Sequence, residues 1–405
     1  MTTGASRRLR VQLWSYNYDP EPTGIGPLSR AWATAMRDRG HQISVVAAHP
    51  HYPEPIWGTR LLPYREVRDG IPVLRLPIWA GRLSLGERLR QEASFVVALI
   101  AAAPFLGRPD VIVAVSPSFP ALLPAMVSAK ARRTPWVLWL QDLLPDAATV
   151  TGLLDENKLT VRTARRLERA AYRSAARVVA ISESFRDNLR ARGVPRDHVV
   201  RVFNPASRPV RTEPRDVDLV DGKLALNMGN IGRSQDLATI VRAFEGSPDL
   251  ERAGARLVMA GDGVAGQEVR ATIGTDRVEV TGILTSEQLG RYLERAAIGV
   301  VTQRPRDHDF NVPSKLMNFM GAGVPVLASV DANSEVARIL TESGGGWLTD
   351  SSQVEDQFAP ALLEALTNVE ERERRGAAAL EFAARNFDAP QIAERFEDVL
   401  LGALR

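Results

Sequence analysis

Two cations sit where the sequence starts helices, and both belong to a pattern that binds phosphate. In Asn311-Val312-Pro313-Ser314-Lys315-Leu316-Met317-Asn318 the proline restricts entry to a helix and Ser314 is placed to cap its free backbone N–H groups. Gly321 and Gly323 can end that helix in the left-handed conformation, and Val324 to Ala328 reads as a short buried strand. Lys315 therefore rides on the first turn, where the helix dipole already favours anions. Asn318 lies one turn along on the same face. The second cation, Arg233, closes Gly229-Asn230-Ile231-Gly232-Arg233, which follows one strand and precedes a helix. Glycines there let backbone approach a ligand closely, and a guanidinium can grip phosphate in bidentate fashion. Two cations converging at loop-to-helix transitions would hold a diphosphate and stabilise it as a leaving group. Gly261 and Gly263 flank Asp262 at the end of the next strand; a plain strand-closing turn explains that spacing as well as a ligand does.

The first half of the chain offers a different set. Gly24, Ile25 and Gly26 form a turn that could present backbone N–H groups to a ligand. Gln141 and Asp142 end an apolar strand and would project at its carboxyl end, Asp142 being placed to bind or orient an attacking hydroxyl or simply to cap the following turn. His49 and His51 flank Pro50 without a carboxylate at ligand spacing, which points to a structural or surface role and to no metal site. His308 precedes the Lys315 helix in a polar loop.

These residues need a scaffold, and the patterning describes it. The 405 residues exceed one ordinary core, so two domains are expected. Apolar residues make up 45% and charged residues 24%, which fits a soluble globular chain. Cysteine is absent, which excludes disulfides, thiolate metal sites and a catalytic thiol. Strands at 10–15, 42–47, 73–76, 111–115, 136–140, 178–181 and 199–203 alternate with helices at 28–39, 85–105, 121–132, 158–174 and 183–192. A second series has strands at 224–228, 257–260, 278–281, 299–302 and 324–328, with helices at 235–244, 264–273, 286–296 and 314–320 between them. Alternation of this kind implies parallel sheets covered on both faces, with ligands at the carboxyl ends of the strands. The expected organisation is an amino-terminal domain over 1–205, a proline- and arginine-containing linker over 206–217, and a carboxyl-terminal domain over 218–389. A last amphipathic helix, 390–405, is expected to pack back on the first domain.

Charge is unevenly divided. Residues 1–215 hold 32 Lys and Arg against 18 Asp and Glu, a net of +14, and the remainder carries −11. A basic half suits an anionic membrane surface or a phosphorylated substrate. The longest apolar run, Ala93 to Leu106, is shorter than the ~20 residues a spanning helix needs and reads as a buried or interfacial helix. No signal peptide is apparent at Met1 to Arg10, so a cytoplasmic location is expected, with peripheral attachment to the inner membrane face. Neither domain start carries a Gly-x-Gly-x-x-Gly followed by an acidic residue, which argues against a nicotinamide dehydrogenase. No nucleic-acid partner is implied.

In the order and spacing of these motifs the chain resembles the family-four glycosyltransferases of the GT-B fold, in the subgroup that builds bacterial surface polysaccharides. The resemblance runs through Pro22 to Gly26, Gly40-His41, Gln141-Asp142 with Pro145, Ile181-Ser182-Glu183, Asn204, Gly229 to Arg233, Gly261 to Gly263 and Ala322 to Val326. It implies an α/β fold of two doubly wound Rossmann-like domains facing across a cleft, and a retaining transfer from a nucleotide-diphosphate sugar, UDP by preference. The second domain would hold the donor and the first a glycan or lipid-linked acceptor. Arg233 and Lys315 would bind the diphosphate, while Gly282 and Ile283 would line the base pocket through their backbone. The family's pair of glutamates is replaced here by Phe310 and Asn318. Asn318 can still hydrogen-bond a ribose without charge, and Asp309 stands close enough in sequence to cover part of the first role. Gln235 stands where a second cation often follows Arg233, and Gln141 where many relatives have histidine. The implied enzyme needs no cofactor beyond its sugar-nucleotide co-substrate and no metal. A sugar-nucleotide epimerase and a catalytically silent binding subunit are the alternatives on the same fold.

Overall fold

A computed structural model describes residues 7–21, 24–51, 57, 60–79, 85–116, 119–141, 159–213, 215–216, 218, 220–304 and 312–405. Asp142, His308, Asp309 and Phe310 lie outside the described residues. The chain divides into two compact units: residues 1–204 with 392–405, and residues 205–391.

The first unit is built on eight strands among the described residues: β1 (Arg10–Ser15), β2 (Gln42–Ala48), β3 (Tyr64–Arg68), β4 (Ile71–Leu76), β5 (Val111–Ser116), β6 (Trp136–Leu140), β7 (Arg177–Ala180) and β8 (Val199–Arg201). Their order is β3-β4-β2-β1-β5-β6-β7-β8. β5 and β6 are buried at every residue, as expected of central parallel strands covered on both faces. Only β3 runs antiparallel, pairing with β4 across Asp69-Gly70. Both turn residues have positive φ, 50° and 75°, the requirement of a tight hairpin that follows strand twist. β3 has no counterpart among the strands expected from sequence, because Tyr-Arg-Glu-Val-Arg shows no apolar alternation; the Asp-Gly pair is its local signal.

The last helix, Ala389–Gly402, contributes to this first unit from Ile392 onward. Phe396 packs edge-on against Trp32 and Trp139, with ring centroids 5.1 and 5.3 Å away. Glu397, nearly fully buried, pairs with Arg39 and His41. The His41 ring accepts the Leu9 N–H at Nδ1, so its proton sits on Nε2, facing Glu397. Burial holds the His41 pKa below the usual imidazole value against the pull of Glu397.

The second unit carries β9 (Asp221–Met228), β10 (Arg256–Ala260), β11 (Val278–Val280), β12 (Ala296–Thr302), β13 (Val326–Val330) and β14 (Gly346–Asp350), all parallel. Their order is β11-β10-β9-β12-β13-β14, the doubly wound arrangement in which the order of strand addition reverses between β9 and β12. β14 and the three helices Glu335–Ser343, Val354–Thr367 and Val369–Asn386 were not assigned from sequence.

Two glycine loops at the carboxyl ends of β9 and β10 are nested. Gly229 N–H donates to Ala260 O, Ile231 N–H to Asp262 O, and Ala265 N–H to Ile231 O, at 2.9 to 3.0 Å. A Cβ on Gly261 would lie 1.8 Å from Gly229 O, and one on Gly263 would lie 2.4 Å from Asn230 Oδ1. Space, more than ligand contact, therefore dictates glycine at both positions. Gly261→Ala should destabilise the second unit by roughly 1–3 kcal/mol through overpacking against rigid backbone. Gly282→Ala, where φ is 74° and nothing lies within 4 Å, should cost only the left-handed backbone term of about 1–2 kcal/mol. Denaturant unfolding of the two variants checks the ranking; equal losses would show that the nested loops relax freely.

Candidate functional site

Lys315 and the loop from Gly229 to Arg233 lie at the reversal point of the second sheet, whereas Gly282 and Ile283 follow its edge strand β11. Lys315 occupies the first turn of the helix Ser314–Gly321, every residue of which from Lys315 onward is buried. That helix is seated against β12 through Phe319, whose ring fills the space a side chain on Gly299 would take; a Cβ there would sit 2.5 Å from it. Pro313 occupies the cap position, and Ser314 is the first helical residue without a capping bond. The expected serine cap is therefore not made: Ser314 already has helical backbone, one residue past the position from which its hydroxyl could reach back. Gly323, with φ 71°, takes the left-handed place after the helix.

From this seat Lys315 reaches the ends of β9 and the loop after it. Its Nζ donates to Gln235 Oε1 at 2.6 Å and to Asn227 Oδ1 at 3.4 Å. Both acceptors are neutral amides. Asn227, itself 1% exposed, is fixed by donating from Nδ2 to Val300 O on β12. Gln235 is fixed by its Nε2 bond to Asn230 O and by the Thr302 hydroxyl on its own carbonyl. Among the described residues no carboxylate pairs with Lys315, and burial pushes its pKa down to about 7. A cation buried with no counter-charge is unfavourable unless an anion arrives to share the site.

Arg233 lies two residues before Gln235, at the start of the short turn Arg233–Gln235. It is exposed, and among the described residues it has no hydrogen bond or ion pair. The neighbouring cation Arg304 is instead bound to Asp236 at 2.8 Å. Loop 229–233 thus carries a guanidinium that is disengaged among the described residues, two positions from the Gln235 that accepts from Lys315 Nζ. Gly282 follows β11, and the next residue, Ile283, is 88% exposed, as Val264 beyond β10 is 77% exposed. They leave apolar surface at the same carboxyl edge of the sheet.

Asn318, expected at a ribose, already holds partners within its own unit. Its Oδ1 accepts from Ser207 Oγ (3.1 Å) and from the Arg208 N–H (3.2 Å), and its Nδ2 donates to Ser207 Oγ (2.8 Å). One amide N–H is left for any ligand. The Asn227 and Gln235 contacts were not foreseen as a set. The usable signal for Asn227 was a lone amide inside the apolar strand Leu224–Met228.

In the first unit Gly24 adopts φ 68° ahead of the helix Ile25–Asp38, and Gly26 packs so tightly that a Cβ would meet Glu21 O at 2.9 Å. Gln141 makes a reciprocal amide pair with Asn204, at 2.9 and 2.8 Å. His51 has a carboxylate partner after all, supplied from 30 residues upstream. Glu21 accepts its backbone N–H at 2.8 Å, faces its Nδ1 at 3.2 Å, and accepts Asn17 Nδ2 at 2.7 Å. Glu21, His49 and His51 are all buried. A cleft bounded by Arg10, Gln42 and Ile71 opens at the opposite, amino-terminal edge of this sheet, away from these residues.

Each unit is a mainly parallel α/β sheet, and the second carries at its carboxyl edge two cations that pair with no carboxylate among the described residues. Residues 23–205 match the family described as glycosyl transferase 4-like domain, and residues 222–368 match glycosyl transferases group 1. The chain belongs to the family-four glycosyltransferases of the GT-B fold. A curated relative from Escherichia coli K12, described as a colanic acid biosynthesis glycosyl transferase, WcaI, is 24% identical over 97% of this chain and 100% of its own length. Among solved structures, HepE from Anabaena in complex with UDP superposes with a TM-score of 0.69 at 14% identity, covering 97% of this chain and 99% of that one. HepE is also known with UDP-glucose. Sucrose-phosphate synthase from Thermosynechococcus elongatus gives 0.68 at 16% identity, covering 96% and 98%.

The Lys315 environment predicts a proton linkage. An anion beside Nζ favours the ammonium, so a diphosphate should bind with uptake of a proton wherever the free lysine is neutral. Asn227 and Gln235, the amides that accept from Nζ, do not titrate. UDP affinity should therefore fall as pH rises above about 7, by up to tenfold per unit for one proton. Unfolding stability of the free protein should change the opposite way, rising with pH from about 7 toward the ordinary lysine value, because there the unfolded chain binds the extra proton. Calorimetric titration with UDP in buffers of different ionisation enthalpy measures the uptake. A Lys315→Met variant that retains the pH slope would dissociate it from this residue.

Proposed function

We propose that the protein transfers a sugar from a nucleotide-diphosphate donor, UDP-linked by preference, to a hydroxyl of a glycan or lipid-linked precursor at an anionic membrane surface, with retention at the anomeric carbon. The observation that carries this reading is Lys315, a buried cation that among the described residues is bonded to neutral amides alone, at the reversal point of the second sheet. HepE's complexes with UDP and UDP-glucose and the description of WcaI support the donor and the polysaccharide setting.

In this mechanism the bond between the sugar's anomeric carbon and the diphosphate oxygen breaks, and a bond from that carbon to the acceptor oxygen forms. The acceptor's proton leaves with the diphosphate or to solvent. Negative charge grows on the diphosphate as the bond lengthens, so Lys315 and Arg233 bind the transition state more strongly than the donor. Gln235 and Asn227 hold the ammonium in place beforehand, which removes reorganisation from the reacting step. Gly229, Asn230 and Gly232 bring backbone close to the phosphates. Gly282 and Ile283 offer a ledge to the base, and the remaining N–H of Asn318 is available to a ribose oxygen. Asp142 and Gln141, with the turn at Gly24 to Gly26, are assigned to the acceptor. The two cations take the part a metal plays in other transferases, so no metal is required.

Arg233→Ala and Lys315→Ala should each lower kcat on the order of 100-fold, by analogy with the loss of one preorganised donor, with a smaller change in KM. Steady-state kinetics checks the split; loss confined to KM would place both residues in ground-state binding alone. Chelator should leave the rate intact, and the anomeric coupling in the product's proton spectrum should match that of the donor. Inversion at C2 of a sugar nucleotide incubated with enzyme alone would instead establish the epimerase.

A further inference from the structure

The helix Leu85–Ala102 of the first unit and its short continuation Ala103–Phe105 are apolar on two opposite sides, and only one of them is covered. Gln91, Phe95, Leu99 and Ala103 face inward and are buried. On the outer side Ala93, Val97, Ile100, Ala101, Pro104 and Phe105 recur at helical spacing and lie in solvent. Val97 is 68% and Phe105 85% exposed. A helix on the surface of a freely soluble chain carries polar residues on such a face.

Cations and an indole frame this apolar stripe. At its start Trp79 is 60% exposed, its backbone N–H is bound to Ser94 Oγ at 2.9 Å, and the Arg90 guanidinium lies 5.1 Å from its ring centre. At its end Arg132 Nη1 donates to Leu106 O at 3.0 Å, and Arg108 reaches the carbonyl of Arg133 at 3.4 Å. Arg90, Arg108, Lys130 and Arg133 are exposed. Among the described residues no helix is long and apolar enough to cross a membrane. An apolar face flanked by arginines, with tryptophan at its margin, suits the interface between headgroups and acyl chains.

We infer that this face is a docking surface for an anionic lipid bilayer, with Val97, Ile100 and Phe105 entering the acyl boundary and Arg90, Arg108, Lys130 and Arg133 meeting the headgroups. It rests on the membrane-surface part of the proposed function and gives it an address. Charge decides against a second copy as the occupant. Two such faces packed together would bring cationic margins against each other, whereas an anionic bilayer neutralises them.

Sedimentation with phosphatidylglycerol-containing vesicles, and with phosphatidylcholine alone, tests the surface without donor or acceptor. The wild-type protein should bind the anionic vesicles at low salt and lose most binding in high salt or on the zwitterionic ones. The double variant Val97→Asp/Phe105→Asp should bind at least about tenfold more weakly, the substituted side chains being exposed and not needed for folding. Stabilisation by UDP, read by thermal shift, should be the same in both proteins, because Lys315 lies in the other unit. Absence of anionic-vesicle binding at low salt, or a double variant that binds as well as wild type, overturns the surface. So does conversion of a dimer to a monomer by the same substitutions. Failure of UDP to stabilise the wild-type protein, with vesicle binding intact, counts against the donor reading and leaves the surface standing.

Discussion

The arrangement of the second unit follows from one unfavourable placement: an ammonium buried beside two amides and, among the described residues, no carboxylate. Removing a charge from water without a partner costs several kcal/mol unless the group neutralises, and the lowered pKa of Lys315 is that cost expressed as proton affinity. A glutamate in the place of Gln235 would relieve the cost and close the site, since a permanent counter-ion would compete with any phosphate. Neutral amides do something narrower. They orient Nζ, accept its hydrogen bonds while it waits, and leave its charge unspent. Asn227 holds its position because β12 gives it a carbonyl, and Gln235 because Thr302 and Asn230 grip it from two sides.

The first unit shows another way of handling charge at the carboxyl edge of a sheet. There Glu21 is sunk between the loops that follow β1 and β2, saturated by the amide of Asn17 and by the backbone and ring of His51. A carboxylate surrounded by donors binds two loops together and has little capacity left for a ligand. The contrast between this satisfied anion and the unsatisfied Lys315 separates a structural polar cluster from a site that wants a partner. Burial alone does not, since both are buried.

Much of this was readable in the sequence where the cause is local. Gly229 to Arg233, the Pro-Ser-Lys start of the 314–321 helix and the alternation of strands and helices all depend on backbone preferences within a few residues. What escaped depends on residues brought together by topology. His51 meets Glu21 across 30 positions, and Lys315 meets Asn227 across 88. No periodicity announces either pair. Gly261 and Gly263 read as a turn or a ligand loop, and the fold adds a steric reason for glycine that no local pattern shows: the loop that begins at Gly229, 32 residues before Gly261, packs against both. Asn318 was read through the family's glutamate, and only the fold shows its amide turned to Ser207.

That last contact has a mechanical side. Residues 205–211 are the first stretch of the second unit after Asn204, and they are moored at two points on the helix that carries Lys315. Ser207 and the Arg208 amide hold Asn318 near its middle, and the Arg211 N–H holds the carbonyl of Gly321 at its end, 2.9 Å away. Val210 lies against Gly321 so closely that an added methyl would touch it at 3.4 Å. The strap and the helix therefore form a single stiff part. Tension or torsion in the connecting chain is delivered to the helix on which the ammonium rides, as a pull on a bell-rope is delivered to the clapper, and it reaches Lys315 without passing through the sheet.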